Sequence, residues 1–221
     1  MYDLSPVLDS EAVSAVRPGT SVLVAGPPMT GKADLAMDIL AAGARDGEGA
    51  LVITTNDTAE SVVEDFRGRV PEVETLSLGV VDCRGDETGG GSSPQAEPGV
   101  FYHHVGSPSD LTGIGIGITK CLESLHESGA DRGRMALISL STMLTYTDRE
   151  TVFKFCHVLS SRLDAAGYLG VFTIDTGAHD DQTVQVIKQA FDGLVEIREG
   201  DAGREARVLG LSDAPTGWAA L

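Results

Sequence analysis

The chain has 221 residues, and its 16 Lys and Arg against 33 Asp and Glu give a formal net charge of −17. Hydrophobic residues make up 42% and charged residues 22%, a globular composition that argues against disorder and suits one domain spanning 1–221. Such an acidic chain lacks the basic face that a dedicated nucleic-acid binder needs. The two basic clusters, Arg67-Gly68-Arg69 and Arg132-Gly133-Arg134, are read as solvated loops.

In chain order, residues 8–16 read as a short amphipathic helix closed by Pro18-Gly19, and SVLVAG (21–26) as a buried strand between turn signals. Leu35, Ile39 and Ala42 share one face of a helix over 31–42, with Gly43 as its cap. ALVITT (50–55) is a second strand, Thr58 to Arg67 a helix, and 79–82 a third strand. Residues 84–99 are low in complexity and rich in Gly, Ser and Pro, a flexible loop inside the domain. FYHHV (101–105) is extended, and Ser109 or Asp110 caps a helix whose Leu111, Ile114, Ile118, Leu122 and Leu125 keep the helical period. RMALISL (134–140) is the most apolar strand. A helix over 148–166, a strand over 168–175, a helix over 180–190 and a hairpin of 193–199 with 204–211 complete the chain. Alternating strands and helices predict an α/β fold with a largely parallel central sheet and a C-terminal β-hairpin.

Cys83, Cys121 and Cys156 are far apart and form no CxxC pair, so neither a zinc site nor a disulfide framework is indicated and a reducing, cytoplasmic setting fits. No metal site is assigned. The N-terminus lacks the basic and apolar regions of a signal peptide, and no apolar run approaches a membrane span.

Gly26-Pro27-Pro28-Met29-Thr30-Gly31-Lys32-Ala33 is one residue short of a P-loop, placed where the motif requires, after a buried strand and before a helix. Its glycines let backbone N–H groups wrap a phosphate chain, the helix N-terminus adds partial positive charge, and Lys32 reaches the terminal phosphates. The position that should offer a hydroxyl to Mg2+ is Ala33. Thr30 and Asp34 complete the candidate binding set, although both are read first as helix-start residues.

The order GTSVLVAGPPMTGK, ALVITTNDTAESVVEDF, RMALISLSTML and FDGLVEIRE resembles the KaiC-like branch of the RecA-superfamily P-loop ATPases, most of all the single-domain versions of halophilic archaea, from about residue 18 to 211. The resemblance implies a RecA-like core with ATP or ADP as ligand, and often a homo-oligomer whose nucleotide site lies at a subunit boundary. The 19 Asp against only 4 Lys fit a chain adapted to high salt.

The resemblance also exposes departures. Active relatives keep an acidic pair after the second strand, where this chain has Asn56 and Asp57. Asp57, one methylene shorter than Glu, is a catalytic candidate, but Asp57 or Thr58 is read first as the cap of the next helix. The metal-binding Asp of the family aligns with Ile138, which Ser139 follows, and the Lys-x-Arg segment that reaches a neighbour's phosphate has no counterpart in Val208-Leu209-Gly210-Leu211. Asp175 ends a strand where relatives place a phosphate-sensing residue. It is the second catalytic candidate, with capping of the following turn as its first reading.

Elsewhere, His179-Asp180-Asp181 is explained equally by a cation or by a helix cap. His103 and His104 face opposite sides of a strand. Gly113, Gly115 and Gly117 are read as close helix packing. The functional expectation is a nucleotide-binding regulatory protein with weak or absent hydrolysis and Mg2+ held weakly or not at all. The alternative is a non-catalytic interaction protein with an empty loop, and an active RecA-type ATPase comes third. A homo-oligomer or a protein partner is expected, without membrane or nucleic acid.

Overall fold

A computed structural model describes residues 1–85, 97–200, 203–212 and 214–221. Most of the low-complexity segment (86–96), and Asp201 and Ala202 of the hairpin turn, lie outside the described residues.

The strands β1 (Ser21–Gly26), β2 (Gly49–Thr54), β3 (Leu78–Asp82), β4 (Val100–His104), β5 (Gly133–Ile138), β6 (Leu169–Asp175), β7 (Gly193–Gly200), β8 (Gly203–Leu209) and β9 (Ala219–Ala220) form one sheet. Its order is β4-β3-β2-β5-β6-β1-β7-β8-β9. Pairing is parallel from β4 through β7 and antiparallel for β7–β8 and β8–β9. The α/β architecture and the terminal hairpin are thus as the sequence indicates.

The helices are α1 (Ser5–Leu8), α2 (Lys32–Arg45), α3 (Ala59–Arg69), α4 (Leu111–Glu127), α5 (Leu140–Tyr146), α6 (Arg149–Ala166) and α7 (Asp181–Lys188). Alternate strand residues feed two apolar layers. Val22 and Val24 pack with Leu35, Ile39 and Phe66 on one face. Leu23 and Ala25 pack with Ile114, Leu159 and Ile187 on the other. Asp110, Asp148 and Asp180 cap α4, α6 and α7 by accepting the N–H of Gly113, Thr151 and Thr183. The cap explains Asp180.

Several local expectations are corrected. No helix spans 8–16. Pro6 sits in the first turn of α1, and Asp9 ends it in the left-handed region at φ 43. A 3-10 turn, Glu11–Val13, follows, so Leu8, Val13 and Val16 reach the core through a chain reversal. Gly43 is not a cap, because α2 continues to Arg45. A Cβ at Gly43 would lie 2.5 Å from Arg134 Nε and 2.6 Å from Glu48 Oε2, so this glycine makes room for an ion pair. The strand over 134–140 ends at Ile138, and Ser139 accepts the N–H of Ser141 to cap α5. The signal for α5 was a Ser cap before Leu140, Met143 and Leu144 at helical spacing.

The two basic clusters are not both loops. Arg67 and Arg69 end α3, and Arg69 gathers Asp34, Asp38 and Asp65 at 2.9, 2.5 and 3.0 Å. Arg134 is 1% exposed inside β5, where it pairs with Glu48 at 2.6 Å and donates to the Ile39 carbonyl at 2.8 Å. On α4, Gly117 is needed for packing: a Cβ there would clash with the His103 ring. His103 is half-buried and His104 exposed.

Candidate functional site

Parallel pairing sets the site. β1 lies between β6 and β7, and its last residue, Gly26, stands opposite Asp175, the last residue of β6. The chain then turns through Pro27 to Gly31 into α2, at the carboxyl ends of the strands where open α/β sheets bind ligands. Met29 and Gly31 take positive φ, 61° and 76°, and Met29 is almost fully exposed at the tip. Pro27 and Pro28 contribute no N–H. Among the described residues, the backbone N–H groups of Met29 through Asp34 donate to no protein acceptor, and the first helical hydrogen bond is from Leu35 to Gly31.

Lys32 is 7% exposed and lies under the loop. Its Nζ is 2.7 Å from Asp175 Oδ1, donates to the Pro27 carbonyl at 2.5 Å, and lies 3.5 Å from Thr30 Oγ1. Thr30, 2% exposed, donates its hydroxyl to the same Pro27 carbonyl at 2.9 Å, so it braces the loop from inside. Asp175 makes no side-chain cap to the 3-10 turn Thr176–Ala178. The capping expectation for it is corrected: its carboxylate is used by Lys32. Asp34 gives Oδ1 to Arg69, while its Oδ2 stays beside the loop, 3.7 Å from where a Cβ on Gly31 would lie.

The altered positions meet in space. Ala33, Asp57 and Ile138 line one cavity of about 320 Å3 together with Asp34, Thr54, Ser61 and Asp65. The register Thr54↔Ile138 between β2 and β5 brings two of its walls together. Thr58, not Asp57, caps α3, accepting the N–H of Ser61. Among the described residues the Asp57 carboxylate has no hydrogen-bond partner or ion pair, and it is exposed. Asn56 is engaged by Thr142 at 3.2 Å.

The Mg2+ ion that a RecA-type site implies does not fit these residues. At the two anchoring positions Ala33 offers a methyl group and Ile138 an apolar side chain, which leaves Asp57 as the one free carboxylate among the described lining residues. Asp34 and Asp65 are held by Arg69, and the Ser139 hydroxyl is used as a helix cap. Among the described residues no group of three His, Cys, Asp or Glu is placed to hold a metal. A larger hollow of about 460 Å3, lined by Arg17, Thr20, Ser160, Asp164 and Asp192, lies at the amino ends of β1 and β7 and contains no loop residue.

One neighbour of the loop carries no sequence signal. Arg204, in β8, lays its guanidinium over Gly31, where a Cβ would fall on Nη1. No local motif marks it; only the hairpin's register brings it there.

The comparisons with known proteins agree with this architecture. Residues 19–197 match the model of a family of unknown function, DUF7504, and the chain belongs to that family. No curated protein matches it. Among solved structures it is similar to a KaiC-like protein from the hyperthermophilic archaeon Pyrococcus horikoshii OT3, with a TM-score of 0.60 and 13% identity over 100% of this chain and 88% of that one. At that identity the likeness establishes the fold, a KaiC-like RecA fold. Among the described residues no helix is long and apolar enough to cross a membrane.

Proposed function

We propose that this DUF7504 chain is a nucleotide-binding regulatory protein of RecA/KaiC type, which takes ATP or ADP on its loop and hydrolyses ATP weakly or not at all. Gly26, Pro27, Pro28, Met29, Thr30, Gly31, Lys32, Ala33 and Asp34 form the loop side of the site. The observation that carries the reading is the run of unpaired N–H groups from Met29 to Asp34 above the buried Lys32 ammonium. Unpaired amides at a helix start and a lysine beneath them are complementary to a phosphate chain.

Weak hydrolysis follows from the other side of the site. Phosphoryl transfer needs neutralised charge on the terminal phosphates and a positioned water. Ala33 and Ile138 supply no oxygen, and Asn56 is a poor base already engaged by Thr142. Asp57 is the remaining free carboxylate in the cavity, and Asp175 is committed to Lys32.

One observation favours a second reading, an interaction protein with an empty loop. Three acceptors, from Asp175, Pro27 and Thr30, already surround the three protons of Lys32. In either case the output is contact with another copy or another protein, in the cytoplasm.

The test is thermal shift and turnover with ATP and ADP in molar KCl. Nucleotide at 100 times Kd stabilises by about 2.7 kcal/mol, an upward shift of several degrees that Lys32→Ala should remove. Turnover should stay at background. No shift with either nucleotide supports the empty loop. Mg2+-dependent turnover lost in Lys32→Ala would establish an active ATPase and assign the missing oxygen to Asp57 or Asp175.

A further inference from the structure

The cation that the loop lacks in metal form is present as a side chain. β8 pairs with β7 and β7 with β1, so the hairpin stands beside the strand that leads into the loop. Three arginines project from this hairpin. Arg198 pairs with Glu205 at 2.8 Å and covers the Trp218 ring at 4.0 Å. Arg207 pairs with Glu196 at 2.6 Å and covers the same ring at 4.7 Å.

Arg204 differs. Among the described residues its guanidinium has no ion pair, no side-chain hydrogen bond and no ring contact. It is exposed, and it fills the space beside Gly31: from the position of an added Cβ, Arg204 Cζ is 3.1 Å away and Asp34 Oδ2 is 3.7 Å away. An unpaired, exposed arginine that lies beside Gly31, in a loop whose N–H groups are themselves unpaired, is placed for an anion. Its planar fork of donors matches phosphate oxygens in a way that a lysine does not.

Resting on the nucleotide-binding reading above, we propose that Arg204 binds the phosphate chain in cis and supplies the positive charge that Ala33 and Ile138 deny to a metal ion. The site then takes the free polyphosphate of ATP or ADP without Mg2+. A chelated metal would compete with the guanidinium for the same phosphate oxygens. Lys32 reaches the chain from beneath the loop, after Asp175 releases it, and Arg204 closes over it from the hairpin.

Calorimetry with ATP and with inorganic tripolyphosphate, in molar KCl with EDTA, tests this on the full chain. Arg204→Ala should weaken both ligands at least about tenfold, the worth of one charge-assisted contact. Arg204→Lys should recover part of the loss, and Mg2+ should not tighten the wild type. Circular dichroism and melting of each variant show that the hairpin persists. Should Arg204→Ala bind as the wild type does while Lys32→Ala does not, the assignment of Arg204 is wrong and the loop reading stands. Absence of binding by the wild type to either ligand overturns both.

Discussion

Lys32, the first residue of α2, and Asp175, the last residue of β6, meet at 2.7 Å, so the lysine of the loop is already neutralised by a carboxylate of its own chain. A phosphate that binds the loop must take Lys32 from Asp175 and must also come close to that carboxylate. On the proposed function, the pair holds nucleotide affinity down.

Asp175→Asn should tighten ATP and ADP binding by about tenfold, since one like charge leaves the phosphate site and Lys32 is freed. The same change should lower stability by about 1–3 kcal/mol. Lys32 is 7% exposed and loses its counter-charge, while the part-exposed Asp175 keeps the cost at the low end for a buried pair. Calorimetry beside urea denaturation measures both. An unchanged or weaker affinity would show that Asp175 does not compete with phosphate.

The buried pair Arg134–Glu48 predicts a stability effect remote from the loop. Glu48→Ala leaves the Arg134 guanidinium, 1% exposed, with no carboxylate and should cost about 3–5 kcal/mol. Gly43→Ala pushes a methyl group against both partners and should cost about 1–3 kcal/mol. Urea midpoints should fall in that order, with nucleotide affinity unchanged in whatever fraction stays folded. Midpoints equal to the wild type would remove the pair from the stabilising interactions.

The three cysteines should be inert in the folded chain. Burial pushes the thiols of Cys83 and Cys156 up to about 12 and that of Cys121 to about 11, so almost no thiolate exists at pH 8. A disulfide reagent at pH 8 should label none of them until denaturant is added, when three react. Rapid labelling of the native protein would show that one of the two apolar layers opens.

The acid excess is read as adaptation to high salt. At a net charge of −17 the surface repels itself, and the Debye length falls from about 10 Å at 0.1 M to about 3 Å at 1 M. The melting temperature should rise steeply with KCl. A flat profile from roughly 0.1 to 2 M would remove that reading.

Much of this molecule is written locally. The β1 strand, the loop and α2 follow from a short apolar run, two glycines and a helical period, and Asp110 is one of two caps the sequence offers for α4, whereas the sequence places Asp148 inside its helix and leaves Asp180 open between a cation and a cap. The hairpin was legible from its turn residues. Three features were not, because each depends on which strands become neighbours. The Lys32–Asp175 pair needs β1 beside β6, the cavity shared by Ala33, Asp57 and Ile138 needs β2 beside β5, and the placing of Arg204 needs β7 between β8 and β1. Gly43 shows the same limit. From sequence it is a helix stop, and only the buried arginine of a strand far along the chain explains a glycine inside α2.

On the proposed function, the loop holds nucleotide with little help from a metal. The most direct measurement is the ATP dissociation constant in molar KCl, once with Mg2+ and once with EDTA, for the wild type and for Lys32→Ala. Wild-type constants within about threefold of each other, less than about 1 kcal/mol apart, and loss of binding in Lys32→Ala under both conditions are expected. Binding that requires Mg2+, or that survives Lys32→Ala, would contradict that function.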